Sequence, residues 1–198
     1  MRFWVSASAA LLVCAAAFAQ APNSAKQAIV KAHRFNELTL AGLRPGRDKA
    51  GKAIQLFGKP DVRSSDKQSL SWAFESQDGA YYLNLDVDKM DVVQSVRVSH
   101  GPGPSGIMLP KHNALFARKW ESGRGLEVGA PGARVATLYG EPDSRSPSTK
   151  DGRRLELLYY AFDWAGADVP QVMEVVCTVN DDGKSGRVVE ITLAAPSL

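Results

Sequence analysis

Three aspartates near the middle of the chain are the first candidates for metal chemistry. Asp86, Asp88 and Asp91 lie in the stretch Leu-Asp-Val-Asp-Lys-Met-Asp, and carboxylate oxygens are the ligands that hard divalent cations take. The same spacing is typical of a solvated strand end and turn, here with Lys89 as a neutralising neighbour. We expect the solvated turn, no metal and no cofactor, and leave cation binding by these aspartates open.

Residues that carry zinc or nucleophilic chemistry are present but isolated. His33, His100 and His112 have no second ligand at metal spacing. Cys177 lies in the apolar run Met-Glu-Val-Val-Cys-Thr-Val, where a cysteine is usually a small buried hydrophobe. Ser105 lies in Gly-Pro-Gly-Pro-Ser-Gly-Ile, which lacks the final glycine of a nucleophile elbow.

Two ligand-binding motifs are suggested near the C-terminus and both fail. Gly183-Lys184-Ser185 resembles the end of a phosphate-binding loop, but the required earlier glycine is Thr178. The same stretch fails as a calcium loop, because its bidentate glutamate position is Val189. We therefore predict a protein that is not an enzyme, with a divergent hydrolase that lacks a recognisable motif as an alternative.

The first residues have the design of a secretory signal peptide. Arg2 precedes an apolar run over Phe3 to Ala19, which ends in the small-residue site Ala17-Phe18-Ala19 ahead of Gln20. The run is short for a membrane span of about 20 residues. We expect cleavage after Ala19 and a secreted or periplasmic protein.

Charge and hydropathy exclude other classes of protein. The 198-residue chain has a net charge of +3, and its charges are interspersed without a basic block, which disfavours nucleic-acid binding. A lipoprotein signal would use Cys14, but Val13 stands where a small residue is normal. We expect no stable membrane insertion of the mature chain.

A tandem repeat organises the rest of the chain. The blocks Leu43-Arg44-Pro45-Gly46 and Leu56-Phe57-Gly58-Lys59-Pro60-Asp61 recur as Leu126-Glu127-Val128-Gly129 and Leu138-Tyr139-Gly140-Glu141-Pro142-Asp143. Helical spacing follows the first block of each copy, and the glycine of the second block is typical of a helix end. Proline two residues later prevents continuation of the helix.

Strands with matched alternation follow each helix. We predict that Trp72 corresponds to Tyr160, and Leu85 to Cys177. The full strand matches are Trp72-Ala73-Phe74 with Tyr160-Ala161-Phe162, Tyr81 to Val87 with Met173 to Val179, and Val93 to Val98 with Val188 to Leu193. Polar loops separate the helix ends from the aromatic strands.

These elements predict an α+β fold of two tandem units, each a helical segment packed on an antiparallel sheet. Additional helices are expected at about Ser24 to Leu38 and Asn113 to Trp120. We place the signal peptide at 1–19, the first unit at 20–100, a Gly- and Pro-rich linker at 101–112 and the second unit at 113–198.

The repeated Leu-x-x-Gly turn, helix, Gly-x-Pro and aromatic strand resemble the β-lactamase-inhibitor-protein-like superfamily, which also contains the SmpA/OmlA (BamE-type) assembly lipoproteins. The resemblance covers roughly Phe35 to Val98 and Leu115 to Leu193. It implies a helical segment on an antiparallel sheet and a function in binding other proteins. The chain departs from the inhibitor, which has a disulfide within its units, because its mature form has one cysteine. It departs from the assembly lipoproteins because it has two units and Val13 before Cys14.

Strand alternation assigns a surface to that function. The helices cover one sheet face, so the residues of opposite parity are free to form an interaction surface. These are Tyr82, Asn84, Asp86, Arg97, Tyr159 and Glu174. We predict a non-catalytic module that binds another protein or an envelope component there. A binder of small ligands or envelope components that uses the groove between the two units is the alternative.

Overall fold

The computed structural model describes residues 36–76, 79–101, 120–150, 152–162 and 172–195. The expected signal peptide, the linker and most of both additional helices therefore lie outside the described residues. Asn36 to Leu38, which we expected to end the first additional helix, are described and are not helical.

Two short helices follow the repeated Leu-x-x-Gly turns. Helix α1 spans Ala50–Phe57 and helix α2 spans Ala133–Tyr139. Each ends at a glycine with nearly the same backbone, φ 81° and ψ −167° at Gly58 and φ 78° and ψ −164° at Gly140. Side chains rarely adopt this conformation, which explains the glycine of the repeated Gly-x-Pro. No helix within the described ranges is long and apolar enough to cross a membrane.

The strands form one antiparallel sheet, which runs in the spatial order β1-β2-β3-β4-β8-β7-β6-β5. Strands β1 to β4 come from the first copy of the repeat, and β5 to β8 from the second. The bounds are β1 Val62–Arg63, β2 Ser69–Ser76, β3 Gly79–Val87, β4 Val93–Gly101, β5 Ser144–Lys150, β6 Arg153–Ala161, β7 Val172–Val179 and β8 Ser185–Ala194.

The predicted fold class, two tandem α+β units with helices on separate sheets, is wrong. Strands β4 and β8 pair edge to edge, with Ser95 opposite Ala194 and Ser99 opposite Glu190, so that all eight strands belong to one sheet. The physical reason is that an unpaired edge strand exposes its backbone N–H and C=O groups. The two helices, of eight and seven residues, are too short to form a covering layer.

Equivalent hydrogen bonds nevertheless recur in the two halves. The indole N–H of Trp72 donates to the Gly58 carbonyl at 3.0 Å, and the Tyr160 hydroxyl donates to the Gly140 carbonyl at 3.0 Å. The N–H groups of Gly46 and Gly129 donate to the carbonyls of Val93 and Val188, and those of Ala73 and Ala161 donate to the carboxylates of Asp61 and Asp143.

Strand register corrects one predicted correspondence. Trp72 lies opposite Leu83, and Tyr160 lies opposite Met173. Matching Trp72 to Tyr160 therefore places Leu85 with Val175, two residues before Cys177. The predicted match was therefore shifted by two residues along the strand. Because side chains alternate between the two faces of a sheet, a shift of two residues leaves the same residues on the buried face.

The core lies on the sheet face that carries the helices. Its sheet residues include Leu83, Leu85, Met173, Val175 and Cys177, each with no exposed surface. Each helix adds two buried residues, Ala50 and Ala53 from α1 and Val135 and Tyr139 from α2. The segments before the helices complete it with Leu40, Leu43, Trp120 and Leu126.

The segments before the two helices cross between the halves. Trp120, ahead of α2, packs edge-on against Phe57 of α1 and Phe74 of β2, at ring-centroid distances of 6.1 and 5.1 Å. Glu37, ahead of α1, accepts a 2.6 Å hydrogen bond from the hydroxyl of Tyr139 in α2. Each half therefore packs on the helix of the other, which two independently folded units would not do.

Candidate functional site

Most residues of the predicted interaction surface form one row across the sheet. Tyr159 lies opposite Glu174, and Arg97 lies opposite Asn84. Thr192 of β8 joins the two pairs, because it lies opposite both Glu174 and Arg97. The row therefore crosses β6, β7, β8, β4 and β3 on the face away from the helices. We call this face the open face.

The other two predicted residues lie in the rows on either side. Tyr82 pairs with Ala73 and Ser99, while Asp86 pairs with Ser69 and Ser95. The sheet therefore brings all six residues to one face. Tyr82, Asn84, Tyr159 and Glu174 are partly buried, and Asp86 and Arg97 are exposed.

Hydrogen bonds fix several polar side chains of the open face. The hydroxyls of Ser69 and Ser95 donate to the Asp86 carboxylate at 2.9 and 2.7 Å. The guanidinium of Arg97 donates to the Thr192 hydroxyl at 3.3 Å and lies 3.6 Å from the Glu190 carboxylate. A surface with such prior order costs less conformational entropy on binding.

A cleft of about 280 Å³ opens on this face across the junction of the two halves. We call it the junction cleft. Tyr82 of β3 and Ser99 of β4 line it from the first half, and Leu155 of β6, Val176 of β7 and Glu190 of β8 line it from the second. Ser148 and Lys150 of β5 and Arg153 of β6 line its far end.

The junction cleft combines apolar surface with unbalanced charge. Leu155 is only 4% exposed although its strand parity places it on the open face, so the cleft is concave there. Desolvation raises the pKa of the Tyr82 hydroxyl above its ordinary value. Arg97 offsets the charge of Glu190, whereas Lys150 and Arg153 form no ion pair with another described residue.

Sequence reasoning missed the charged end of the cleft. We expected a polar loop before the aromatic strand of each copy, but residues 144–150 form β5, which pairs with β6 up to Lys150 opposite Arg153. The dipeptide Asp151-Gly152 between them is a hairpin signal that could have revealed it.

The three candidate metal-binding aspartates serve different parts of the fold. The Asp86 carboxylate accepts hydrogen bonds from the serine hydroxyls described above. The Asp88 carboxylate accepts hydrogen bonds from the N–H groups of Met90 and Val92 at 2.7 and 2.9 Å. Asp91 lies 3.8 Å from the guanidinium of Arg63. In the described part of the chain, no group of three or more His, Cys, Asp or Glu side chains is arranged to hold a metal ion.

A second cavity, of about 350 Å³, lies between α2, β5, β6 and the β7–β8 turn. Its charged side chains are all in ion pairs. Arg145 lies 3.0 Å from Glu141 and 3.5 Å from Glu156, and Lys184 lies 3.4 Å from Asp182. Glu156 also accepts a hydrogen bond from the Ser185 hydroxyl. Nearby Cys177 is buried, and burial raises the pKa of its thiol to about 12. A thiol in that state is not a nucleophile at neutral pH.

Comparison with known proteins gives no family. No family model matches the chain, and no curated protein matches it. Among solved structures, a DUF4309 family protein from Bacillus subtilis matches with 12% identity and a TM-score of 0.42, over 81% of this chain and 88% of that one. A cysteine-rich secretory protein from Staphylococcus aureus matches with 11% identity and a TM-score of 0.39, over 81% of this chain and 47% of that one. We assign no fold family or activity from either.

Proposed function

We propose that this chain is a non-catalytic binding protein that uses the open face of its sheet to hold another protein. The observation that carries the proposal is the placement of Tyr82, Asn84, Arg97, Tyr159 and Glu174 on one face, across both halves and beside the junction cleft. Tyrosine and arginine are the residue types that most often dominate binding energy at interfaces.

Two further observations support binding by the open face. The helices and the crossing segments pack on the opposite face, so they do not compete with a partner. The repeated motif also resembles a superfamily whose members act by binding proteins, which favours the same class of function.

Tyrosine truncation tests this proposal. We expect Tyr82→Ala and Tyr159→Ala each to weaken binding of a partner isolated from an envelope extract by about 2 kcal/mol, because aromatic anchors contribute much of the binding energy of an interface. Affinity is measured by calorimetry on the purified pair. Met90→Ala is the control, since Met90 is 72% exposed in the β3–β4 turn. Unchanged affinity in both folded tyrosine variants would show that the open face is not the site.

A small-ligand or envelope-component binder is the second candidate, favoured by the concave shape of the junction cleft. Native mass spectrometry of the protein purified from its own envelope distinguishes the two. A stoichiometric small molecule that leaves on Tyr82→Ala substitution supports the second candidate, and a bound protein supports the first.

We also propose that the chain is exported and that its mature form begins at Gln20. The support is the small-residue site Ala17-Phe18-Ala19 after an apolar run. N-terminal sequencing of the mature protein is expected to begin at Gln20. A start at Met1, or a lipidated Cys14, would contradict cleavage after Ala19.

A further inference from the structure

We propose that the junction cleft binds an extended acidic peptide segment of the partner, which lies across the strands with its acidic end against Lys150 and Arg153. This inference rests on the proposed function, because it names the partner chemistry for the same open face. Three properties of the cleft carry it: its length, its charge and the polarity of its floor.

The length of the cleft suits a chain molecule. Its lining comes from six strands that are neighbours in the sheet, β5, β6, β7, β8, β4 and β3. Since neighbouring strands lie about 4.8 Å apart, the axes of the outermost of these strands, β5 and β3, are about 24 Å apart, which sets the upper limit for the length of the cleft. An extended peptide advances about 3.3 Å per residue, so about seven residues span it. A compact small ligand would occupy only part of that length.

The charge of the cleft favours an acidic segment and determines at which end of the cleft its acidic residues lie. Lys150 and Arg153 are Cα partners at the end of the β5–β6 hairpin, and both are exposed. Neither is paired with an acid among the described residues, whereas the cleft's own Glu190 lies 3.6 Å from Arg97. One end of the cleft is therefore positively charged, and a carboxylate placed there gains charge-assisted hydrogen bonds.

The floor of the cleft favours a peptide over an anionic acyl chain. Leu155 and Val176 are apolar, but Ser99 and Glu190 stand between them and Tyr82. An acyl chain laid across these polar groups would remove water from them without offering hydrogen bonds. A peptide backbone provides N–H and C=O groups at that point, and the Tyr82 ring can pack on a peptide side chain at the end of the cleft opposite Lys150 and Arg153.

Binding of the full chain to an array of random heptapeptides tests the inference. One set has two Asp or Glu residues at the N-terminal end, a second has them at the C-terminal end, and a third has Asn or Gln instead. Soluble peptides from the best-bound set are then titrated by fluorescence anisotropy. Decanoate and inorganic phosphate are added as competitors.

Two matched double variants separate the cleft from general electrostatics. Lys150→Gln/Arg153→Gln removes the proposed anchor, and Arg47→Gln/Lys59→Gln removes two exposed cations that flank α1. We expect one acidic set to bind best, about tenfold weaker binding in the first variant and less than about twofold in the second. Binding should also weaken as salt is raised, because the anchor is exposed.

Several outcomes would overturn the inference. The first two are equal binding of the acidic and neutral sets and no binding of any heptapeptide. The other two are unchanged affinity in Lys150→Gln/Arg153→Gln and displacement of the peptide by decanoate, which would show that the cleft binds acyl chains. If partner binding stays sensitive to Tyr82→Ala and Tyr159→Ala while acidic peptides fail, the proposed function stands and this inference does not. If the tyrosine variants also bind normally, both fail.

Discussion

Glu37 is a buried carboxylate whose two oxygens hold three segments together. Its carboxylate accepts N–H groups of its own segment, from Leu38 at 2.8 Å and Thr39 at 3.1 Å. It also accepts the N–H groups of Gly123 and Arg124, both at 3.1 Å, and the Tyr139 hydroxyl. Glu37 is only 2% exposed, so these five donors stand in place of its hydration.

Removal of this carboxylate is expected to be costly. Glu37→Ala removes one acceptor from each of four backbone N–H groups and one hydroxyl. The Gly123 N–H still donates to the Thr39 carbonyl at 2.9 Å, and the Tyr139 hydroxyl still lies 2.7 Å from that of Ser122. The free energy of unfolding should therefore fall by about 3 kcal/mol. Tyr139→Phe removes one of the five donors and should cost about 1 kcal/mol. Urea denaturation measures both, with the exposed Glu127→Ala as control. A loss below 1 kcal/mol in Glu37→Ala would mean that the network does not stabilise the fold.

Cys177 shows how burial controls reactivity at a single residue. We expect it to react slowly with a thiol reagent in the native protein and rapidly after denaturation, because burial blocks access and raises the pKa of the thiol from 9.0 to about 12. Fast native labelling would contradict this. The raised pKa also implies that stability falls as pH rises from about 9 to 12, since only the unfolded thiol ionises there. Cys177→Ala should reduce that fall.

At the scale of elements, the glycine that ends each helix gives a prediction for both halves. Gly58→Ala and Gly140→Ala should each lower the free energy of unfolding by about 1–3 kcal/mol, because φ is 81° and 78° at these positions. An added Cβ meets no atom within 4 Å at either glycine, so the cost is conformational. Gly51→Ala is the matched control inside α1. A Cβ added at Gly51 also meets no atom within 4 Å, and the backbone there does not have a positive φ. Gly51→Ala should therefore raise the free energy of unfolding by about 0.5–1 kcal/mol.

Local chemistry predicted these elements well, and long-range pairing poorly. Glycine and proline mark both helix ends, and alternation identified the buried faces of β3 and β7, because both signals depend on nearby residues. Which strand edges join is decided by residues far apart in sequence, such as Val96 opposite Leu193. The pattern of either half alone is compatible with a separate unit, which is why the fold class was wrong.

The same limit applies to the candidate site. Alternation placed Tyr82, Asn84 and Tyr159 on one face, which needs only the period of a strand. The junction cleft depends on β8 lying between β4 and β7, so no local pattern could bring Ser99 beside Glu190. The cations at its end were missed because seven exposed residues of β5, including Pro147, resemble a loop.

At the scale of the whole molecule, the sheet is approximately symmetric about the β4–β8 junction. Arg97 and Thr192 occupy equivalent positions in the two halves, and they lie opposite each other in the register. The crossed contacts of Trp120 and Glu37 lie on the helix side of the same junction. Sheet pairing on one side and packing on the other thus join the two halves.

This joining predicts one cooperative unfolding transition. Calorimetry of the full chain should show a single transition, whose van't Hoff and calorimetric enthalpies agree. Gly58→Ala in the first half and Gly140→Ala in the second should then lower the same Tm. A decrease of about 1 kcal/mol in the free energy of unfolding lowers Tm by about 2–4 °C in a chain of this size. If the halves unfolded separately, each variant would move one of two transitions and leave the other in place.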